Sequence, residues 1–286
     1  MDKSMPAPAI VPTPISAGDI LSRLVGMILA TRDQSFDGLP AGFEQRLRAA
    51  YFLLHRDPRG ESDVVSFVTI TLERLLRGLA SQTQREQREQ QGRVRGRVVW
   101  AATWKARLAD AYDPTRLVCA EVRRHFDTPE NQLVKFVVET LWSLVGAIPP
   151  VVRQGVCCRA GPAGDGSLIL VPTGPRIDEI EARLPRQRLH PQLRQIVMPD
   201  VITTEHLRRA ETSKMEEYGE VARLYHRYHR CLILRDWPEL ARLGHSLLPL
   251  PAYPDREGEH WLRAAALVLK SPPPDGIRMR WPFGPE

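Results

Sequence analysis

The sequence predicts a mainly α-helical fold with a small antiparallel β element, an α+β arrangement. Apolar residues recur at helical spacing over much of the chain, and a well-capped helix start lies near its middle. Two short valine-containing runs, bounded by arginine and glycine, are typical of strands. With 286 residues, of which 43% are hydrophobic, the chain is large enough to bury a substantial core.

The N-terminal part predicts three packed helices. Ser16 to Asp19 has the composition of a helix start, and apolar residues at helical spacing follow it. Similar patterns cover residues 43–54 and 64–79. We therefore expect a flexible, proline-rich leader over residues 1–15 and an N-terminal helical unit over residues 16–80.

The next segment, residues 81–92, reads SQTQREQREQQG and contains no apolar residue. This composition predicts either an exposed helix extension or a polar linker, and we place a domain boundary there. Beyond it, the pattern of residues 94–99 and 117–122 predicts two short strands that pair antiparallel.

The most clearly defined helix begins near residue 128. Thr128 is placed to accept a backbone N–H, Pro129 occupies the first helical position, and Asn131 faces back toward the cap. Apolar residues then follow along one face as far as Leu144. These features predict a helix whose apolar face packs on the core.

The C-terminal part predicts a loop at Gly161–Gly166, a strand at Leu168–Val171 and a capped helix from near Thr203 past Tyr218 toward Leu234. A last helix is expected over residues 257–270. The α+β region thus covers residues 93–270, and a proline-rich tail covers residues 271–286.

The composition favours some classes of protein over others. The net charge of +6 comes mostly from arginine, which indicates phosphate binding or simply an arginine-rich composition. Cys119, Cys157, Cys158 and Cys231 lack the paired spacing of a zinc site, so we expect reduced thiols and no metal. Neither a signal peptide nor a membrane span is evident, and we expect a cytoplasmic protein with no membrane contact.

Two blocks of sequence resemble McrC-type subunits of 5-methylcytosine-specific restriction systems. The first is RGRVVW at Arg95–Trp100, with Thr103 shortly after, and the second is RRHFDTPENQLVK at Arg123–Lys135. In that family a strand similar to R-G-x-I-x-W precedes a helix that opens with TPEN and carries a lysine, which Lys135 matches. The similarity extends over residues 92–270 and is strongest in these two blocks.

The resemblance also raises the question of whether this sequence contains the nuclease site of the family. McrC-type subunits cut DNA with a Mg²⁺ site built from an Asp and a Glu-x-Lys on adjacent strands. In this sequence we expect those strands to be absent. The nearest substitute is Asp200 with Glu211 and Lys214, but its Glu-x-x-Lys spacing on a helix is unfavourable for metal ligation.

Two groups of arginines are candidates for nucleic-acid binding. Arg93, Arg95 and Arg97 alternate, so on a strand they would share one face and follow a phosphate backbone. Trp100 and Trp104 lie close by in sequence and either stack on bases or fill the core.

Arg223, Arg227 and Arg230 share one side of a predicted helix. Both groups of arginines are equally compatible with a solvated surface. Lys135 either pairs with a carboxylate or reaches DNA.

We therefore expect a non-catalytic accessory or coupling component of a restriction or anti-phage defence system, without a cofactor. It would contact DNA and either an McrB-like AAA+ NTPase or a separate nuclease chain. Two alternatives stay open: a divergent metal-dependent nuclease and a purely structural protein-interaction module.

Overall fold

The computed structural model describes residues 17–30, 38–55, 63–109, 112–160, 168–253 and 255–271. The fold is mainly helical with two small three-stranded antiparallel sheets, as predicted. None of the helices in these ranges combines the length and the apolar character that crossing a membrane requires. The predicted leader, the Gly161–Gly166 loop and the tail beyond Ser271 lie outside the described residues.

The helices and strands have the following bounds. The helices are α1 (Ala17–Ala30), α2 (Phe43–Leu54), α3 (Val64–Ser66), α4 (Leu72–Arg77), α5 (Trp100–Ala109), α6 (Pro129–Gly146), α7 (Pro150–Arg153), α8 (Thr173–Arg188), α9 (Pro191–Arg194), α10 (Thr204–Glu211), α11 (Glu216–Tyr228), α12 (Trp237–Ser246) and α13 (Arg256–Lys270). The strands are β1 (Gln82–Gln91), β2 (Arg97–Val98), β3 (Arg116–His125), β4 (Val156–Ala160), β5 (Leu168–Pro172) and β6 (Leu248–Leu250). Single π-helical turns join α3 to α4 at Phe67–Thr71 and follow α11 at His229–Ile233.

Most helices pack around one hydrophobic core. Helix α6 contacts α2, α8, α10 and α11, and α13 packs on α1 and α12. The largest fully buried side chains are Trp261, Tyr51, Tyr218, Phe43 and Phe52. Because α2 and α13 each bury a continuous apolar stripe, their sequence periodicity predicted them correctly.

A small sheet completes this core, with strand order β5-β4-β6. Strand β4 places the side chains of Cys157 and Cys158 in the interior, where both are fully buried. The predicted strand at Leu168–Val171 is confirmed as β5.

The long helix expected from Thr203 toward Leu234 is interrupted. Helix α10 ends at Glu211 and α11 begins at Glu216. The Thr212 hydroxyl donates to the Arg208 carbonyl oxygen at 2.7 Å, and the Met215 N–H donates to the Ser213 hydroxyl at 3.2 Å. Such local side-chain bonds compete with helical backbone bonds and break the helix here.

The polar segment predicted as a linker or helix extension is a strand. Residues 82–91 form β1 and pair antiparallel with β3 along their whole length, from Gln82 opposite His125 to Gln91 opposite Arg116. Most of its side chains are exposed, so neither face needed apolar residues. A strand whose two faces are both exposed to solvent does not alternate apolar and polar residues. The sequence pattern therefore did not reveal β1.

Elements β1, β2, α5 and β3 form a unit that we call the arm, residues 82–125. None of its residues belongs to the main hydrophobic core, which includes Leu79 on one side and Leu133 on the other. We call the rest of the described chain the body. The boundary predicted at residues 81–92 does not separate two cores, because helices before and after the arm share one.

Candidate nucleic-acid interface

The base of the arm is held by a closed ring of three hydrogen-bonding groups. The Ala80 N–H donates to the Tyr218 hydroxyl oxygen at 2.8 Å, and that hydroxyl donates to Asn131 Oδ1. Asn131 Nδ2 donates to the carbonyl oxygens of Ala80 at 2.8 Å and Phe126 at 2.7 Å. Since Ala80 precedes the arm and Phe126 follows it, one buried amide fixes both ends.

Burial raises the pKa of Tyr218 to about 12. Its hydroxyl therefore stays protonated near neutral pH and can donate to Asn131. The sequence predicted Asn131 as part of a helix cap, and the structure gives it this wider role between α4, α6 and α11.

Thr128 does not act as the predicted side-chain cap. Its hydroxyl is buried and has no hydrogen-bond partner among the described residues. The helix start is instead defined by Pro129 and by the Gln132 N–H, which donates to the Thr128 carbonyl oxygen at 2.9 Å. The predicted position of α6 is thus correct, whereas the predicted capping bond is wrong.

Thr103 ends strand β2 and fixes helix α5 on the sheet. The Val99 N–H donates to the Val118 carbonyl oxygen at 2.8 Å, and the Val118 N–H donates to Thr103 Oγ1 at 2.9 Å. The Thr103 side chain, which is fully buried, thus takes the place of the next residue of the ladder. Strand β2 is therefore short, and α5 begins directly against β3.

Arg107 holds the other end of α5. Its guanidinium group donates to the carbonyl oxygens of Arg116, at 2.8 Å, and of Pro114. With Thr103 near one end and Arg107 near the other, the helix is fixed with one side against β3 and one side outward.

The outward side of α5 is apolar and aromatic. Trp100, Trp104 and Leu108 lie at successive i, i+4 positions and are 60%, 49% and 75% exposed. We call these three residues the outer face of α5. Scattered exposed apolar residues are ordinary, but two tryptophans and a leucine in line on a fixed helix form a contiguous surface. Of the two roles considered for the tryptophans, core filling is excluded.

The predicted strand face shared by three arginines is wrong. Among Arg93, Arg95 and Arg97, only Arg97 lies in a strand, as the first residue of β2, whereas residues 92–96 form a loop. We call this loop together with Arg97 the arginine loop. Gly92 and Gly96 adopt left-handed conformations with φ of 70° and 86°. At Gly96 an added Cβ would lie 2.3 Å from the Ala120 carbonyl oxygen, so this turn needs glycine.

The three loop arginines are nevertheless exposed, and no ion pair involves them in the described part of the chain. The loop itself is anchored by the Arg95 N–H, which donates to Gln90 Oε1 at 2.8 Å. The three arginines therefore lie where the chain passes from β1 to β2, directly before α5 in sequence.

The arm carries most of the net charge of the protein. Residues 82–125 contain ten Lys and Arg against five Asp and Glu, a net +5 out of +6 for the chain. Glu86, Glu89 and Glu121 lie in ion pairs with basic groups of the arm itself. Six basic side chains have no carboxylate partner among the described residues: Arg85, Arg93, Arg95, Arg97, Lys105 and Arg124.

Lys135 neither pairs with a carboxylate nor extends away from the protein as contact with DNA would require. Its ammonium group donates to the carbonyl oxygen of Ile196, in the chain that follows α9. This bond ties α6 to a neighbouring part of the body. No sequence pattern marks a backbone acceptor so far along the chain, so the role was not predictable.

The second arginine group is also not a free surface. Arg227 is 13% exposed, and its guanidinium donates to His55 Nε2 and lies 3.9 Å from Glu239. Arg230 pairs with Asp236 at 2.9 Å and with Glu239 at 3.2 Å. Only Arg223 of the three predicted residues is exposed without an ion pair in the described ranges.

Glu239 explains this arrangement, because its carboxylate is buried, at 2% exposure, and lies against Arg227, Arg230 and Arg242. A buried carboxylate requires such partners. The acidic residues Asp236 and Glu239, close after Arg230 in sequence, were the available signal.

His55 lies in the same buried region. Its Nδ1–H donates to the Phe52 carbonyl oxygen at 2.5 Å, and Nε2 accepts from Arg227. Burial, and then the positive charge of Arg227, lower the pKa of His55 to about 3. The imidazole is therefore neutral at ordinary pH and links α2 to α11.

The weak nuclease candidates lie around α10. Asp200 precedes the helix, Glu211 ends it, and Lys214 lies in the break before α11. Glu211 lies 3.2 Å from His226. In the part of the chain that the structure describes, no three His, Cys, Asp or Glu side chains are grouped as a metal site requires.

Comparison of the chain with models of known families, with characterised proteins and with solved structures found no match. The resemblance to McrC-type subunits therefore stays a prediction.

Proposed function

We propose that the arm binds nucleic acid without cutting it, with the arginine loop on phosphates and the outer face of α5 on bases. The observation that supports this most directly is the position of the loop arginines, which have no carboxylate partner in the described chain, beside two exposed tryptophans. Cationic and aromatic groups side by side match the two chemical parts of a polynucleotide.

The phosphate contacts account for affinity. Each phosphate neutralised by a basic side chain releases condensed counterions, so binding weakens steeply as salt rises. Arginine suits this role because its planar guanidinium group forms paired hydrogen bonds with phosphate oxygens. Arg85 and Arg124 lie on the same face of the sheet as Arg97, since Val122 faces Arg85 and Ala120 faces Arg97 in the ladder.

The tryptophans favour single-stranded nucleic acid. Stacking of a base on an aromatic side chain contributes about 1–3 kcal/mol and needs an exposed base face, which a duplex hides. Trp100 and Trp104 lie one helical turn apart, a rise of about 6 Å, which is close to the spacing of successive bases in an extended strand.

The resemblance to McrC-type subunits extends this proposal to an accessory role in a restriction or anti-phage defence system. Its proposed partners are an McrB-like AAA+ NTPase and a separate nuclease chain. Retention of the purified chain on an immobilised NTPase of that kind would test the extension separately from nucleic-acid binding.

The decisive experiment compares two triple substitutions that change charge equally. Arg93, Arg95 and Arg97 are changed to Gln in the arm, and exposed Arg74, Arg186 and Arg194 are changed to Gln in the body. Binding of labelled single-stranded and duplex DNA is measured across a salt series.

We expect the arm variant to lose about tenfold or more in affinity for single strands, with a salt slope smaller by about 2, since each lost contact removes about 0.7 from it. The body variant should bind like the unaltered chain. Equal weakening by both triples would show that general charge, and not the arm, is responsible, and absence of binding at low salt would reject the proposal.

A further inference from the structure

Strand β1 leaves one long edge of its sheet open. The strand order is β1-β3-β2, so β3 covers one side of β1 and no described strand covers the other. The ladder with β3 runs over all ten residues without a bulge. Proteins normally block such edges with proline, bulges, very short strands or charged side chains. Strand β1 has neither proline nor a bulge and is ten residues long, so its charged side chains decide what can pair with this edge.

The charges along β1 are arranged so that the strand complements itself. Around Gln87, the order of charged residues is Arg85, Glu86, Arg88 and Glu89. If a second β1 lies antiparallel with the two Gln87 residues opposite each other, Arg85 faces Glu89 and Glu86 faces Arg88. The two-fold axis repeats both pairs, which gives four complementary pairs.

This register is also one that the backbone permits. Along a strand, alternate residues direct their N–H and C=O groups outward, and in an antiparallel ladder an outward residue must face another outward residue. The two position numbers of each facing pair must therefore add to an even number, as 85 and 89, 86 and 88, and 87 and 87 do.

The neighbouring permitted registers place like charges together. Centring the pair on Glu86 puts two carboxylates opposite each other, and centring it on Arg88 does the same with two guanidinium groups. A parallel, in-register pair would align every charge with its own copy. Like charges directly opposite on neighbouring strands destabilise a sheet, so the register centred on Gln87 is favoured.

We propose that a second copy of this chain docks on β1, antiparallel and centred on Gln87, to form a continuous six-stranded sheet. Arg85 has no carboxylate partner among the described residues and gains one from Glu89 of the second copy. Glu86 and Glu89 already contact Arg88 and Arg116, and a carboxylate can accept from a further guanidinium group. Because each exposed ion pair contributes little, we expect a weak dimer that forms only at high protein concentration.

A charge-swap experiment tests the register. One variant combines Arg85→Glu with Arg88→Glu, and the other combines Glu86→Arg with Glu89→Arg. Each alone has four like charges on β1, whereas a mixture of the two has opposite charges at every facing position. In sedimentation measurements over a concentration series, we expect each variant to dimerise at least tenfold more weakly than the unaltered chain, and the equimolar mixture to recover dimers.

A matched control separates register from general attraction between oppositely charged chains. Arg186→Glu with Arg194→Glu is mixed with Glu179→Arg and Glu216→Arg, all at exposed body positions. This mixture should form no more dimer than the unaltered chain. If it does, or if the arm mixture fails to dimerise, the proposed interface is wrong.

A cysteine at the proposed axis gives a second measurement that does not depend on charge variants folding normally. Gln87→Cys should form a disulfide-linked dimer with oxidised glutathione, because the two-fold axis brings position 87 onto itself. Gln84→Cys and Gln90→Cys should each stay monomeric but should crosslink when mixed. The four native cysteines are buried, so they should not react. Crosslinking of Gln84→Cys alone at a rate equal to Gln87→Cys would overturn the register.

Discussion

The body and the arm are stabilised in different ways. The body buries large apolar side chains from both ends of the chain in one core, whereas the arm buries few residues, chiefly Thr103, Val118 and Cys119, outside that core. The arm relies on a backbone ladder and on side-chain bonds such as those of Thr103 and Arg107. Because the arm does not contribute to the core, its arginines and tryptophans can stay exposed on the surface.

The largest expected difference comes from the same substitution in the two regions. Trp261 is fully buried with its ring 5.4 Å from that of Phe43, so Trp261→Ala should lower the free energy of unfolding by about 3–5 kcal/mol. Trp104→Ala, on the outer face of α5, should change it by less than about 0.5 kcal/mol. Urea unfolding followed by circular dichroism would measure both, and a large loss for Trp104→Ala would mean that the arm contributes to global stability.

The junction of the two regions should be the next most sensitive place. Asn131→Ala removes the partners of the Ala80 and Phe126 carbonyl oxygens and of the Tyr218 hydroxyl, and should cost about 2–4 kcal/mol. Tyr218→Phe keeps the two bonds that Asn131 Nδ2 donates but removes the acceptor of the Ala80 N–H and the donor to Asn131 Oδ1, and should cost about 1–2 kcal/mol. Similar losses for the two variants in urea unfolding would show that the amide does not hold the arm as described.

Acid should weaken the body through His55. Its pKa is lowered to about 3 in the folded chain from 6.5, so below pH 6.5 the unfolded chain binds a proton that the folded chain does not. Stability is therefore fully present above pH 6.5 and falls as the pH drops toward 3, by at most about 1.4 kcal/mol per pH unit from this group.

The check is the melting temperature between pH 7 and pH 4.5. His55→Gln keeps a donor and an acceptor but does not titrate, so its melting temperature should fall less steeply than that of the unaltered chain. Burial also lowers the pKa of His245, and some slope should remain in the variant. Parallel pH curves would contradict the role given to His55.

The smallest global effect is expected within the arm. Thr103→Val keeps the shape of the side chain but removes the acceptor of the Val118 N–H, at a local cost of about 1–2 kcal/mol. Hydrogen exchange should become faster at α5 and β2 while amides of the body stay protected. Faster exchange throughout the body would show that the two regions unfold together.

The elements that the sequence predicted well are those with one buried face. Helices α2 and α13 have apolar stripes, and α6 has a proline at its first turn, so their positions followed from periodicity and helix-start composition. Strand β1 was missed because both of its faces are exposed to solvent, so its sequence does not alternate apolar and polar residues.

The candidate site was predictable only in part. The alternation of Arg93, Arg95 and Arg97 predicted a shared strand face, but Gly92 and Gly96 turn the chain, so that geometry was wrong. Their role in nucleic-acid binding stays a prediction. Lys135 and Arg227 were misassigned because their partners, the Ile196 carbonyl and His55, lie far away in sequence. Contacts of that kind depend on tertiary packing and leave no local pattern.

The amide of Asn131 binds the carbonyl oxygens of both Ala80 and Phe126, so the chain leaves the body and re-enters it at almost the same point. An insertion whose ends meet can be lengthened, exchanged or lost without rethreading the helices around it. The helices of the body can therefore keep their packing when the arm between residues 80 and 126 is changed. Relatives of this chain with a different arm, or with a short turn in its place, would still fold around the same helices.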